Sequence, residues 1–194
     1  SAQTNNPVVQ FGEKYTLHSK LLGEDREYWV YLPPSYQPDR YYQPHKYPVM
    51  YLLDGDWNFA WACQVAQFMG DTLKIPELIV VAIPNTDRER DLTPTHATNV
   101  ISSGGGPVFE KFLTKELGPV VDAKFRTAPY RILVGHSIGG AFAIDVFLRQ
   151  ANAFEAFIAI DPSLWWDNRV LVQRAKEFTP RRNSHDALFL AEAN

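Results

Sequence analysis

Apolar and polar positions along the chain follow two periods, and the change between them divides it. Near the N-terminus, residues 14–20 and 26–32 alternate polar with apolar side chains and predict two strands, with Gly23-Glu24-Asp25 as the turn between them. Pro33-Pro34 stops the second strand. Residues 35–47, rich in proline and tyrosine, read as a surface loop. The pattern then becomes continuous. VMYLL at 49–53 and LIVVAI at 78–83 are unbroken apolar runs, as expected of strands buried on both faces. Residues 57–69 lie between them with helical spacing.

Residues 85–106 are polar and end in glycines, and predict one long functional loop. Pro107 opens a helix through about residue 125, with Phe109, Phe112, Leu113 and Leu117 on one face and a kink or split at Gly118-Pro119. A short buried strand at 131–134, a helix at 137–150 carrying Ala141, Ile144 and Leu148, a strand at 154–160, a helix at 168–178 and a strand at 187–191 complete the series. A hairpin followed by strands alternating with helices predicts an α/β fold, a mostly parallel sheet of seven strands with an antiparallel N-terminal edge and helices on both faces.

The chain has 194 residues, of which 45% are hydrophobic and 21% charged, which suits one soluble domain, 1–194. A net charge of −3 with scattered basic residues gives no field for nucleic acid. No apolar run approaches the roughly 20 residues of a membrane-spanning helix. The lone Cys63 excludes an internal disulfide and a multi-cysteine zinc site. The opening SAQTNN, without a Met, reads as a processed end or an expression scar.

Against this frame one pentapeptide carries chemistry. Gly135-His136-Ser137-Ile138-Gly139 lies between the strand ILV and an alanine-rich helix. A glycine-x-serine-x-glycine pattern at a strand-to-helix turn places the serine in a strained conformation with its Oγ raised above the sheet. Ser137 is thus a candidate nucleophile, and the N–H of Ile138, at the positive end of the helix, is the natural first donor to an oxyanion. A second donor is needed. The strand ending in Leu53-Asp54-Gly55-Asp56-Trp57 offers the N–H of Asp56, turned by Gly55, although Asp-Gly also serves in a plain strand-to-helix turn.

The set YLLDGDWNF, NTDRERDLTP, VGHSIGG and IDPSLWW, in this order, resembles the branch of the α/β-hydrolases gathered under the family name Putative esterase. That branch takes in S-formylglutathione hydrolase (esterase D), the enterobactin and other siderophore esterases, and the mycolyltransferases, and the likeness is greatest to the siderophore esterases. The resemblance implies a serine esterase acting through an acyl-enzyme on Ser137, with the Ile138 and Asp56 N–H groups as oxyanion hole and no metal or organic cofactor. It implies a small-molecule ester as substrate, of siderophore, aromatic or anionic type. Two alternatives are acyl transfer by the same nucleophile and a non-catalytic binding module on this fold. Relatives occur in both periplasm and cytoplasm, and the compartment stays open.

Around the serine, the loop of Asp161–Trp166 is expected near the pocket. Trp57, Trp165 and Trp166 line the cleft or pack in the core, while Trp61 belongs to the core. Arg88 and Arg90 bind an anionic group or pair with Asp87, Glu89 and Asp91. His136 adjoins Ser137 and points away from it, toward bound substrate rather than toward Oγ. A base is harder to find. In this fold the acid follows the seventh strand and the histidine the eighth. His18, His45 and His96 precede the elbow, and His185 sits in a polar turn. Glu192 is the local candidate acid. The expectation is therefore a fragment, truncated before its last strand and helix, with its histidine beyond Asn194. Its open sheet edge would then favour aggregation or a homodimer.

Overall fold

The structure is a computed structural model that describes residues 10–36, 45–150, 152–180 and 186–192. His185, Arg181, Arg182, Asn183 and Asn194 lie outside the described residues, as do residues 1–9 and 37–44 of the expected loop. Seven strands form one sheet in the order β1-β2-β4-β3-β5-β6-β7. They are β1 (Glu13–Ser19), β2 (Glu24–Tyr31), β3 (Tyr47–Leu53), β4 (Ile79–Ile83), β5 (Thr127–His136), β6 (Ala156–Ile160) and β7 (Ala187–Ala191). The hairpin β1–β2 is antiparallel and joins β4 antiparallel, and every pairing from β4 onward is parallel. This is the α/β-hydrolase architecture.

The apolar runs sort themselves by the period of the strand. Leu52, Val80, Ala82 and Val134 face Phe59, Ala62, Cys63 and Ala66 of α1 (Gly55–Asp71). Tyr51, Leu53, Val81, Ile83 and Leu133 face the opposite layer. That layer holds α3 (Gly106–Lys111), a π-helical segment (Phe112–Leu117), α4 (Gly118–Lys124) and α5 (Ile138–Leu148). Their Phe109, Phe112, Leu113, Leu117, Val121, Phe142 and Val146 complete the larger core. α6 (Trp166–Glu177) lies beside α5, where Leu171 meets Ala141, Ile144 and Ala159.

Three expectations are corrected. β5 is ten residues long rather than four, because Thr127 pairs with Tyr47 across a register shift while the outer residues of the strand stay half-buried or exposed. An apolar run cannot reveal a strand held by its ladder alone. The stretch read as one loop contains a short helix, α2 (Arg88–Leu92), capped by the Asp87 side chain, which accepts from the Arg90 N–H at 2.9 Å. Trp61 is not core: it is 46% exposed, on the same outer side of α1 as Val65.

The break expected at Gly118-Pro119 takes the form of the wide π turn just before it. Proline lacks the N–H that would continue the ladder, and its ring would strike the carbonyl four residues back. The widened turn presents Glu116 to the β1–β2 hairpin, where it accepts from the Ser19 hydroxyl at 2.5 Å and the Lys20 and Leu21 N–H groups at 3.0 and 3.2 Å.

A second polar joint links the hairpin to α2. Arg26, 1% exposed, donates to Asp91 at 2.5 Å and Glu24 at 3.1 Å, and Arg90 bonds the same two carboxylates at 2.7 and 2.6 Å. The four side chains close a ring of alternating charge, so no charge in it is left without its opposite. Hydrogen bonds from Arg90, and after them those from Arg26, hold the Glu24 carboxyl below its ordinary value of 4.5, against the opposing effect of burial. A carboxyl that ionises more readily folded than unfolded stabilises fully above the unfolded value, and that contribution fades as pH falls from 4.5 through the folded value. Urea unfolding between pH 7 and pH 3 is expected to show Glu24→Gln less stable than the parent at pH 7, with the gap narrowing toward pH 3.

Cys63 is 1% exposed, and burial pushes its thiol up to about 12. Thiolate is the reactive form. The native protein is expected to leave a disulfide-exchange dye untouched at pH 8 and to react at one site per chain once unfolded in guanidinium.

Candidate active site

Two strand-to-helix turns meet at the C-terminal edge of the sheet, one from β3 into α1 and one from β5 into α5. The strands are parallel neighbours with Leu52 opposite Val134, so the turns emerge side by side. In the first, Asp54 takes the left-handed conformation (φ 53°, ψ 46°), and its carbonyl accepts from the Trp57 and Asn58 N–H groups, both at 3.0 Å. Gly55 has no room for a side chain, since a Cβ there would lie 2.9 Å from the Ile83 nitrogen. Asp56 follows in the first helical turn, where N–H groups have no partner within the helix.

In the second turn Ser137 has φ 56° and ψ −117°, a region that L-residues rarely occupy. Such a conformation costs about 1–3 kcal/mol and persists only where its surroundings enforce it. Here they do. Its N–H donates to the Ile160 carbonyl at 3.0 Å, and its carbonyl accepts from the Ala141 and Ser163 N–H groups, both at 3.0 Å. Gly135 permits the crossing: a Cβ there would lie 2.2 Å from the Gly139 carbonyl oxygen. Ile138, first residue of α5, presents its N–H beside the serine.

The joint between the turns is Asp54, 1% exposed. Arg88, from the start of α2, grips it with two bonds, Nε at 2.6 Å and a terminal nitrogen at 2.9 Å. Asn85 adds a third at 2.7 Å, and Arg88 also reaches the His136 carbonyl at 3.4 Å. The guanidinium lies 5.3 Å over the Trp57 ring. Bonding to Asp54 raises the Arg88 pKa above its ordinary value. Neither arginine of the loop offers an uncommitted cation. Arg88 pairs with Asp54 rather than with its sequence neighbours, and Arg90 belongs to the ring with Asp91 and Glu24.

A cavity of about 470 Å³ opens beside Ser137, lined by Asp161, Leu164, Trp165, Arg169, Leu190 and Glu192 among others. Ser163, 5% exposed, forms its floor and meets the Ser137 hydroxyl at 3.1 Å, oxygen to oxygen. Of the aromatic residues expected here, Trp165 lines the cavity and is 66% exposed. Trp57 stands 65% exposed on the Arg88 side. Trp166 departs from the cleft-lining expectation: it is 4% exposed, and its indole N–H donates inward to the Thr95 carbonyl at 3.3 Å. His136 is exposed next to the serine, and Glu192 lines the far wall.

No described histidine is bonded to Ser137. His18 pairs with Asp25 at 2.7 Å on the hairpin, His45 sits against the Tyr47 ring, and His96 contacts the Ser103 carbonyl at 3.2 Å. Three residues that shape the site carried no distinct signal in the sequence. Asp54 stood inside a quoted motif with roles given only to its neighbours. Ser163 lies in the loop expected near the pocket, though nothing local gives it a role, and Arg169 lies beyond that loop with no local signal.

This arrangement has counterparts. The family model described as Putative esterase matches residues 19–194. The siderophore triacetylfusarinine C esterase of Aspergillus fumigatus is 29% identical over 156 residues, 72% of this chain and 52% of that protein. The ferri-bacillibactin esterase BesA of Bacillus subtilis is 28% identical over 193 residues, 87% of this chain and 65% of that protein. Among solved structures, an IroE-like serine hydrolase from Shewanella oneidensis superposes with a TM-score of 0.80 at 35% identity, over 86% of this chain and 55% of that one. The chain thus spans roughly half to two thirds of the length of these proteins. With the elbow, the neighbouring Asp-Gly turn and the family match in agreement, the chain belongs to the Putative esterase family of α/β-hydrolases.

Proposed function

We propose that the protein is a serine esterase that cleaves carboxylic esters of siderophore type through an acyl-enzyme on Ser137. The observation that carries this reading is the left-handed backbone of Ser137, φ 56° and ψ −117°, at the head of α5. Nothing in a plain structural turn calls for a strained serine where glycine would sit without cost. The two curated relatives reported above are both named as siderophore esterases, which supports the substrate class.

In the proposed reaction Ser137 Oγ attacks the ester carbonyl carbon, and a general base takes the hydroxyl proton as the Oγ–C bond forms. The negative charge that collects on the carbonyl oxygen is met by the N–H groups of Ile138 and Asp56, both at helix starts and both unencumbered by helical partners. The C–O bond to the leaving group then breaks, and the base returns its proton to the departing alkoxide. Water, activated by the same base, cleaves the acyl-enzyme and restores Ser137. We assign Glu192 as the acid that orients the base. Trp57, Trp165 and His136 flank the bound ester. Arg88 acts by holding Asp54, and through it the turn that carries the Asp56 N–H. Ser163 steadies the Ser137 hydroxyl between turnovers.

Labelling with a fluorophosphonate, followed by peptide mapping, tests the nucleophile in the protein made from its full reading frame. Ser137 is expected to carry the adduct, and Ser137→Ala to abolish both adduct and ester turnover; a folded protein that takes no label would refute the proposal. Ser137→Gly separates strain from chemistry. It is expected to be inactive yet more resistant to urea by about 1 kcal/mol, since glycine accepts this conformation without penalty.

Arg88→Gln leaves a buried carboxylate without its counter-ion. A loss of about 3 kcal/mol in unfolding stability is expected. A fall in kcat larger than the rise in KM should accompany it, as befits a residue that shapes the oxyanion hole without touching substrate.

A further inference from the structure

Among the described residues, the cavity beside Ser137 is lined by one cation, and its role is open. Arg169 lines it, is exposed, and its side chain makes no hydrogen bond or ion pair with any described residue. The other arginines around the site are spent: Arg88 on Asp54, Arg90 on Glu24 and Asp91, Arg26 on Glu24 and Asp91. The carboxylates that also line the cavity, Asp161 and Glu192, form no ion pair with Arg169.

The backbone that delivers Arg169 is unusual. Asp167, Asn168 and Arg169 are successive left-handed residues, with φ of 43°, 54° and 61°, inside α6. Aspartate and asparagine tolerate this region, whereas arginine has no such preference. The reversal is pinned on both sides, by buried Trp166 with its indole on Thr95 and by the Asn168 carbonyl, which accepts from Gln173 at 3.1 Å. A fixed, strained turn that ends in an unpaired guanidinium at a cavity wall is a device for presenting that group. Beside it Trp165 offers a ring face that is largely open.

The geometry points to Arg169 as the residue that recognises the acyl part of the substrate, by bonding an anionic oxygen, carboxylate or phenolate, carried on a ring that lies against Trp165. A planar guanidinium suits such an oxygen better than an ammonium does, because it donates two parallel bonds. The inference rests on the reading of Ser137 as the nucleophile of an ester-cleaving site. It transfers the anion-binding role expected of Arg88 to a residue in a different loop.

The test pairs anionic ligands with neutral ones of related shape and uses the protein made from its full reading frame. Calorimetric titration compares salicylate with salicylamide, and steady-state kinetics compares the 4-nitrophenyl esters of butyrate and hemiglutarate. Arg169→Gln is expected to weaken salicylate by about tenfold or more and leave salicylamide within twofold, the loss typical of a charge-assisted bond. It should likewise depress kcat/KM for the hemiglutarate ester about tenfold and spare the butyrate ester. Arg169→Lys should restore part of each loss. Equal loss on the charged and neutral ligands, or no loss on salicylate, would overturn the inference. Failure of the esterase reading looks different: the parent would turn over neither ester and take no fluorophosphonate at Ser137, while the salicylate titration would still report on Arg169.

Discussion

The buried carboxylate of Asp54 is the contact on which the site depends. It lies where two turns of different sequence origin come together. A side chain on Gly139 of the second turn would lie 3.2 Å from its oxygen, so the approach is as close as backbone and carboxylate allow. Removing a carboxylate from water is costly, and its bonds to Arg88 and Asn85 recover that cost only if all three groups stay in register. Arg88 in turn is carried by α2, and α2 is tied to the hairpin through the charge ring. The position of the Asp56 N–H, the second of the two proposed oxyanion donors, is therefore referred, through side chains, to the far edge of the sheet.

Strain and support are divided between the two turns. Ser137 is forced by backbone bonds on both sides and by the absence of side chains at Gly135 and Gly139. Asp54 is forced by its own carboxylate. An elbow held by hydrogen bonds to Ile160 and Ser163 cannot relax without opening the β6 end of the sheet. Rigid support of this kind would keep the hydroxyl of the proposed nucleophile aligned before any substrate arrives.

Much of this was legible from residue order. Continuous apolar runs gave β3 and β4, because a strand covered on both faces has no polar positions to spare. The elbow was legible because glycines, serine and the flanking strand and helix all bear on one short stretch. Elements held by polar contacts were not legible: the outer half of β5 depends on ladder bonds, α2 on its cap and ion pairs, and Trp61 on which side of α1 meets the sheet. The same reason hid Arg169 and the particular contact of Ser163 within the loop expected at the pocket. Arg88 was singled out in the sequence, but its partner lies thirty-four positions back in the chain, and local charge pattern favoured nearer acids.

The four-charge ring has a consequence for inheritance. Glu24 and Arg26 sit on one segment, Arg90 and Asp91 on another, and each charge has two opposite neighbours. Replacement of any one leaves two others with a single counter-charge each, so a lineage leaves this arrangement through weakened intermediates. The hairpin and the short helix that carries Arg88 are thereby bound to be passed on as a pair. Positions 24, 26, 90 and 91 would vary together or hold still together, while Arg169, outside the ring, carries no such constraint.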